Sequence, residues 1–135
     1  MKVPPSITAA IQARDIDAVR VEIQELVRTD CCLRQPQALL VADFVVTCLS
    51  ALYEEDDGRY SSFDRSNVTE DDWANSRAAL RLNFSREKLV ALRDMTLALR
   101  RQGVERFQLP RRSKLVIGLV VLIVAIVIAV VVSLL

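Results

Sequence analysis

The sequence predicts an all-α protein: a small helical domain of four or five helices followed by a single C-terminal transmembrane helix. Three observations favour this class. Apolar residues recur every three or four positions, capping residues precede several of these runs, and residues 115–135 carry no charge. We therefore expect a cytoplasmic helical domain at 1–107, a basic juxtamembrane linker at 108–114 and a transmembrane anchor at 115–135.

The beginning of the chain has the pattern of a helical hairpin. Ser6 is placed to cap a first, short helix. A second helix begins at Asp15 or Asp17 and continues to Arg28. Its apolar face carries Val19, Ile23 and Leu26.

Residues 38–53 predict the central core helix, because 13 of these 16 residues are apolar. The exceptions, Asp43, Thr47 and Ser50, are spaced to lie on one narrow stripe, which leaves most of the helix free to be buried. A second membrane pass is the alternative. It is disfavoured because the run is short and Asp43 lies near its middle.

A polar loop is expected after this helix, and two further helices follow it. Thr69 and Asp72 form a capping box ahead of a helix that buries Trp73 in the core. Ser85 caps the last helix of the domain, and Gly103 is suited to end it. An apolar seam along that helix carries Leu89, Leu92, Thr96 and Leu99, and we expect it to pack inside the domain. Packing against a partner's helix is the alternative.

The anchor prediction depends on residues 115–135, of which 19 of 21 are Val, Leu, Ile or Ala. A helix of this length spans about 31 Å, close to the roughly 30 Å of a bilayer's hydrocarbon core. The alternative is a buried strand, since Val and Ile fill 12 of the 21 positions. A lone strand cannot satisfy its backbone in lipid, whereas a helix can.

Charge is divided along the chain and predicts the orientation of this anchor. Residues 1–99 hold 12 basic and 16 acidic side chains, whereas residues 100–114 hold six basic residues against Glu105 alone. Basic residues beside a membrane helix remain in the cytoplasm, so we expect a tail-anchored, single-pass protein with its C-terminus across the membrane. Arg exceeds Lys by 15 to 3, which favours a bacterial inner membrane. The residues expected to contact lipid are Arg100, Arg101, Arg106, Arg111, Arg112 and Lys114.

Small residues in the anchor predict a surface for self-association. Gly118, Ala125, Ala129 and Ser133 fall on one stripe of the expected helix. Small residues at this spacing allow two transmembrane helices to approach closely. We therefore expect that a second copy of this chain is one possible partner, bound through the anchor.

The sequence offers no constellation of residues for catalysis. It contains no His, none of the common phosphate-binding glycine motifs and no G-x-S-x-G nucleophile motif. The cysteines, Cys31, Cys32 and Cys48, lack the spacing of a zinc site. The acidic charge of residues 1–99 disfavours nucleic acid as a partner. We expect a protein that is not an enzyme and uses no cofactor or metal.

These observations favour an adaptor or scaffold that holds a cytosolic partner protein at the membrane. One alternative is an effector that oligomerises through its anchor and permeabilises the bilayer, although a pore should show a polar face that residues 115–135 lack. Another is a small accessory subunit of a membrane complex.

Overall fold

The computed structural model describes residues 1–109 and 122–126. The all-α prediction is confirmed for these residues, which contain no strand. Residues 122–126 are helical. Residues 1–109 hold five α-helices and a final 3-10 helix: α1 (Pro5–Gln12), α2 (Ile16–Asp30), α3 (Ala38–Val46), α4 (Glu70–Leu82), α5 (Arg86–Arg101) and the 3-10 helix Glu105–Phe107.

Within the ranges just given, each helix is too short or too polar to cross a bilayer. Apart from 122–126, the predicted anchor at 115–135 lies outside the described residues. The predicted linker at 108–114 is described only at residues 108 and 109.

The first two helices form a hairpin, and α2 begins directly after Asp15, one of the two predicted starts. Asp15 caps α2, since its side chain accepts a hydrogen bond of 3.0 Å from the backbone N–H of Ala18. The predicted Ser6 cap is wrong, because α1 begins at Pro5 and Ser6 lies inside its first turn. Proline is suited to the first turn of a helix, where its missing N–H is not needed. The Ser6 hydroxyl instead donates to the carboxylate of Glu22 at 2.7 Å.

The predicted central helix is shorter than expected, because α3 ends at Val46 and not at Tyr53. Beyond it the chain turns through tighter bonds between residues three apart, such as Cys48 N–H to the Val45 carbonyl at 2.8 Å. The guanidinium of Arg20, on α2, donates to the carbonyls of Ala51 and Leu52 at 3.3 and 3.0 Å. Those carbonyls are therefore held by a distant side chain and not by a helix.

Both predicted caps in the second half of the domain are confirmed. Thr69 accepts from the N–H of Asp72 at 3.1 Å, and the Asp72 carboxylate accepts from the N–H of Thr69 at 2.9 Å, which completes the capping box. Ser85 caps α5. Gly103 follows the end of α5 with a φ of +80°, a conformation that glycine adopts without strain.

The core lies where α2, α4 and α5 meet α1, α3 and the 3-10 helix. Trp73 is buried there as predicted, and its indole N–H donates to the hydroxyl of Thr96 at 3.0 Å. The Phe107 ring meets the Trp73 ring edge to face, with the ring centres 5.3 Å apart. The 3-10 helix is thereby packed onto the domain.

Candidate partner-binding surface

An open groove of about 360 Å³ lies between α3 and α5. Its apolar lining comes from Pro36, Leu39 and Leu40 at the start of α3 and from Leu97 on α5. Its charged lining comes from Arg34, Arg93 and Asp94. We call this feature the α3–α5 groove.

Large apolar side chains along the exposed side of α3 remain open to solvent. Leu40 is 47% exposed and Phe44 is 41% exposed. They lie four residues apart, so they share one face of the helix. Val41 and Val45, each one position further along α3, face the core and are completely buried. Because α3 is apolar on nearly all sides, the domain covers only part of it.

The N-terminal end of α3 is held by a buried carboxylate. Asp30, at the end of α2, accepts hydrogen bonds from the N–H groups of Gln37 and Ala38 at 2.7 and 3.0 Å. Burial raises the pKa of Asp30, and these two bonds oppose that effect. The side chain serves as a cap for α3, supplied from eight residues upstream of the helix.

Arg100 fixes the loop between α2 and α3. Its guanidinium donates to the carbonyls of Leu33, Arg34 and Cys31 at 2.6, 3.1 and 3.3 Å, and to that of Phe107 at 2.9 Å. Arg100 was predicted as a membrane contact. In the described fold it joins the end of the groove to the 3-10 helix, and contact with lipid stays a prediction.

The charged side chains that line the groove give it a net positive charge. Arg93 and Arg65 both pair with Asp94, at 2.7 and 2.9 Å. Arg34 is exposed and forms no ion pair with any residue that the structure describes. A ligand with acidic groups beside an apolar face is complementary to this surface.

The other predicted lipid contacts are found in different settings. Arg101 is exposed and Arg106 lies over the Trp73 ring, 5.3 Å from its centre. Arg111, Arg112 and Lys114 lie outside the described residues.

Only one of the predicted self-association residues is described. Ala125 is exposed within helical residues 122–126. The remaining three, Gly118, Ala129 and Ser133, fall on parts of the chain that the structure does not describe. Self-association through this stripe stays a prediction.

The most concentrated polar cluster surrounds Lys88, whose side chain is completely buried. Its ammonium group donates to Asp56 and Asp57 at 2.7 and 2.5 Å and to the amide oxygen of Asn83 at 2.7 Å. Burial alone would lower the pKa of Lys88, but the bonds to both carboxylates outweigh it and the pKa is raised. Lys88 therefore stays protonated at neutral pH and has no free electron pair for nucleophilic attack.

Residues 1–109 and 122–126 contain no group of three or more His, Cys, Asp or Glu side chains placed to hold a metal ion. Cys31 and Cys32 are not joined by a disulfide bond, and their sulfur atoms lie 3.4 Å apart. Burial raises the pKa of the Cys31 thiol, which makes it less reactive.

Sequence reasoning did not identify the exposed apolar side chains of α3, of which Leu40 lines the groove. Leu40 and Phe44 were included in the core because the run from 38 to 53 is apolar almost throughout. The sequence did carry one sign of exposed apolar residues: the run holds more apolar side chains than one side of a helix can bury. The ion pair between Arg65 and Asp94, which lie 29 residues apart, could not be predicted from sequence spacing.

Comparison with known proteins adds no assignment: no protein-family model matches the chain, and no match is found among curated proteins or solved structures.

Proposed function

We propose that this chain is a membrane-anchored adaptor whose helical domain binds a partner protein through the α3–α5 groove. The observation that carries the proposal is a pair of exposed apolar side chains on α3: Leu40, which lines the groove, and Phe44, one helical turn further along. Apolar patches of this kind on small domains often mark protein interaction sites.

The partner that suits this groove is an amphipathic helix with acidic residues at its edges. Such a helix buries one apolar face in a groove and contacts it through side chains spaced three and four residues apart. Leu40 and Phe44 present apolar contacts at that spacing on the domain side. Arg34 and Arg93 supply the positive charge that favours an acidic ligand.

Attachment to a membrane is supported by the sequence of residues 100–135. Six basic residues precede an uncharged apolar segment of 21 residues, the arrangement typical of a membrane helix with its basic end in the cytoplasm. Together, the segment and the groove suit a protein that recruits a cytosolic partner to the bilayer surface.

Site-specific photo-crosslinking in the native membrane tests this proposal. A photoreactive amino acid is placed at position 40 of the full chain, and the matched control carries it at Val21, which is 62% exposed on α2. We expect a discrete protein adduct from position 40 and none from position 21. The adduct should disappear when Phe44→Glu is added, because a carboxylate would be buried in the apolar contact.

Two results would count against the adaptor. Position 40 could give no adduct with another protein, or both positions could give the same adducts, which indicates random collision. An adduct from position 40 that survives Phe44→Glu would contradict a contact shared by Leu40 and Phe44.

A further inference from the structure

Two arginines from different elements of the domain lie over the ring of Trp73, and a third is one helical turn away. The guanidinium groups of Arg77, on α4, and Arg106, in the 3-10 helix, each lie 5.3 Å from the centre of the Trp73 ring. Arg81 follows Arg77 by one turn of α4 and is exposed on the same side of the helix. We call Arg77, Arg81 and Arg106 the arginine cluster.

The cluster has little negative charge to balance it. Arg28, at the end of α2, is also close enough for its charge to act on Arg77, but it is hydrogen-bonded to Glu25 at 2.7 Å. Among the described residues, no carboxylate lies within ion-pair distance of any cluster guanidinium. Burial and the neighbouring arginines lower the pKa of Arg77, and the charge of the nearby Glu25 carboxylate opposes this effect only in part.

The hydrogen-bond donors of the cluster are available to a ligand. Arg20, Arg28, Arg65, Arg86, Arg93 and Arg100 all donate side-chain hydrogen bonds within the described residues, but the cluster arginines donate none there. A guanidinium stacked on an aromatic ring uses its flat face, which leaves the N–H groups at its edge free. Those edges match the oxygens of a phosphate group.

An exposed leucine lies beside the cluster. Leu82 follows Arg81 at the end of α4 and is 85% exposed, more than any other large apolar side chain in the described residues. Ala74 and Ala78 precede it at four-residue spacing and are also exposed, which gives α4 an uncharged outer stripe. Arginines beside an exposed apolar side chain suit a bilayer surface, where phosphates and hydrocarbon are neighbours.

Chain length keeps the cluster close to the predicted anchor. Leu115 follows Arg106 by nine residues, which span at most about 30 Å when fully extended. Arg111, Arg112 and Lys114 occur in this stretch and add positive charge. If residues 115–135 enter a bilayer, the cluster therefore lies within reach of its headgroups.

We propose that Arg77, Arg81 and Arg106 bind the phosphate groups of anionic lipids and lay α4 against the bilayer, with Leu82 entering the headgroup region. The inference rests on the proposed function for the presence of the membrane. The partner-binding groove is a separate surface, and the lipid site does not depend on it.

The test compares the stability of the full chain in two kinds of vesicle. One is phosphatidylcholine alone, and in the other one third of the lipid is phosphatidylglycerol. Urea unfolding is followed by the emission of Trp73, the chain's single tryptophan. Because a ligand that binds the folded state stabilises it, we expect the urea midpoint to be higher by about 0.5 M in the anionic vesicles. High salt should remove the difference.

Two variants with the same charge change separate the cluster from general attraction. The Arg77→Gln, Arg81→Gln double variant should lose most of the difference between the vesicles. The control, Lys2→Gln with Arg59→Gln, removes two exposed cations elsewhere and should keep it. If the double variant does not fold, Arg81→Gln alone should lose part of the difference, because Arg81 is exposed and not in contact with Trp73.

Each remaining outcome contradicts a stated part of the inference. Equal midpoint differences in wild type and cluster variants, or an equal loss in the control, would overturn the lipid site. If glycerol 3-phosphate with neutral vesicles raises the midpoint as much as anionic lipid does, the site takes a free phosphate and the bilayer assignment is wrong. Flotation in a density gradient checks that the chain is attached to the vesicles. If the chain does not float with either vesicle, the proposed membrane attachment is contradicted, and the lipid site with it.

Discussion

The ammonium nitrogen of Lys88 lies 2.7 Å from a carboxylate oxygen of Asp56, although the Lys88 side chain is completely buried. With its bonds to Asp57 and Asn83, all three N–H donors of the ammonium group are used. The Ser85 hydroxyl donates to the same Asp56 carboxylate at 2.6 Å. The long polar loop after α3 is therefore attached to the start of α5 by a network of charges.

Replacing Lys88 with Met should destabilise the domain by about 2 to 4 kcal/mol, because it leaves the carboxylate of Asp56 without its buried partner. The control Lys2→Met removes an exposed lysine and should change stability by less than about 0.5 kcal/mol. Urea unfolding of the full chain measures both. Equal stability of the Lys88→Met variant and wild type would show that the network contributes little.

The same network predicts how stability depends on pH. Hydrogen bonds from Lys88 lower the pKa of both Asp56 and Asp57. A carboxyl whose pKa is lower in the folded state stabilises the fold above its unfolded pKa of about 3.9 and loses that effect as pH falls through the folded value. Wild type should therefore lose stability below about pH 4.

The loss of stability at acid pH should be smaller in the Lys88→Met variant, because the hydrogen bonds from Lys88 that lower the pKa of Asp56 and Asp57 are then absent. Urea midpoints measured from neutral to acid pH test this. Parallel pH profiles for wild type and variant would contradict the assignment of the shifts to Lys88.

Features that depend on neighbouring residues could be predicted from the sequence. The capping box of Thr69 and Asp72, the Ser85 cap and the stop at Gly103 each involve residues within one turn of a helix. The buried seam of α5 follows the same local logic, since its positions are fixed by helical periodicity.

Features that join residues far apart in the sequence could not be predicted from it. The end of α3 is fixed partly by Arg20, which binds carbonyls 31 and 32 residues further along the chain. Lys88 was not predicted in the core because lysine is rarely buried without partners, and those partners lie in a loop. Its position four residues before Leu92 on the buried seam was the one available signal.

Arg100→Gln should loosen the loop that forms one end of the groove. It removes charge-assisted hydrogen bonds to carbonyls from Cys31 to Arg34, and we expect a loss of about 2 to 3 kcal/mol. Amide hydrogen exchange should become faster at residues 31–37 than in α4. The control Arg101→Gln alters an exposed neighbour and should leave exchange unchanged. Equal protection of residues 31–37 in the Arg100→Gln variant would contradict this account of the loop.

The two exposed apolar side chains of α3 should matter more for binding than for folding. Leu40→Ala and Phe44→Ala should each cost about 1 kcal/mol or less, because both side chains are already partly exposed. Val41→Ala, one residue away on the buried face, should cost clearly more. Urea unfolding measures these changes, and crosslinking from the groove measures binding. A large loss of stability with Leu40→Ala would show that Leu40 belongs to the core.

The central claim is that an apolar segment of this chain holds the helical domain at a bilayer. Fractionation of native membranes at high salt and alkaline pH tests it most directly, because this treatment releases proteins bound only by surface charge. The account predicts that the intact full chain stays in the membrane pellet, whereas a chain with charged residues introduced at Val121 and Val124 is released. Recovery of the unaltered full chain in the supernatant would contradict membrane attachment, and with it the adaptor and the lipid site.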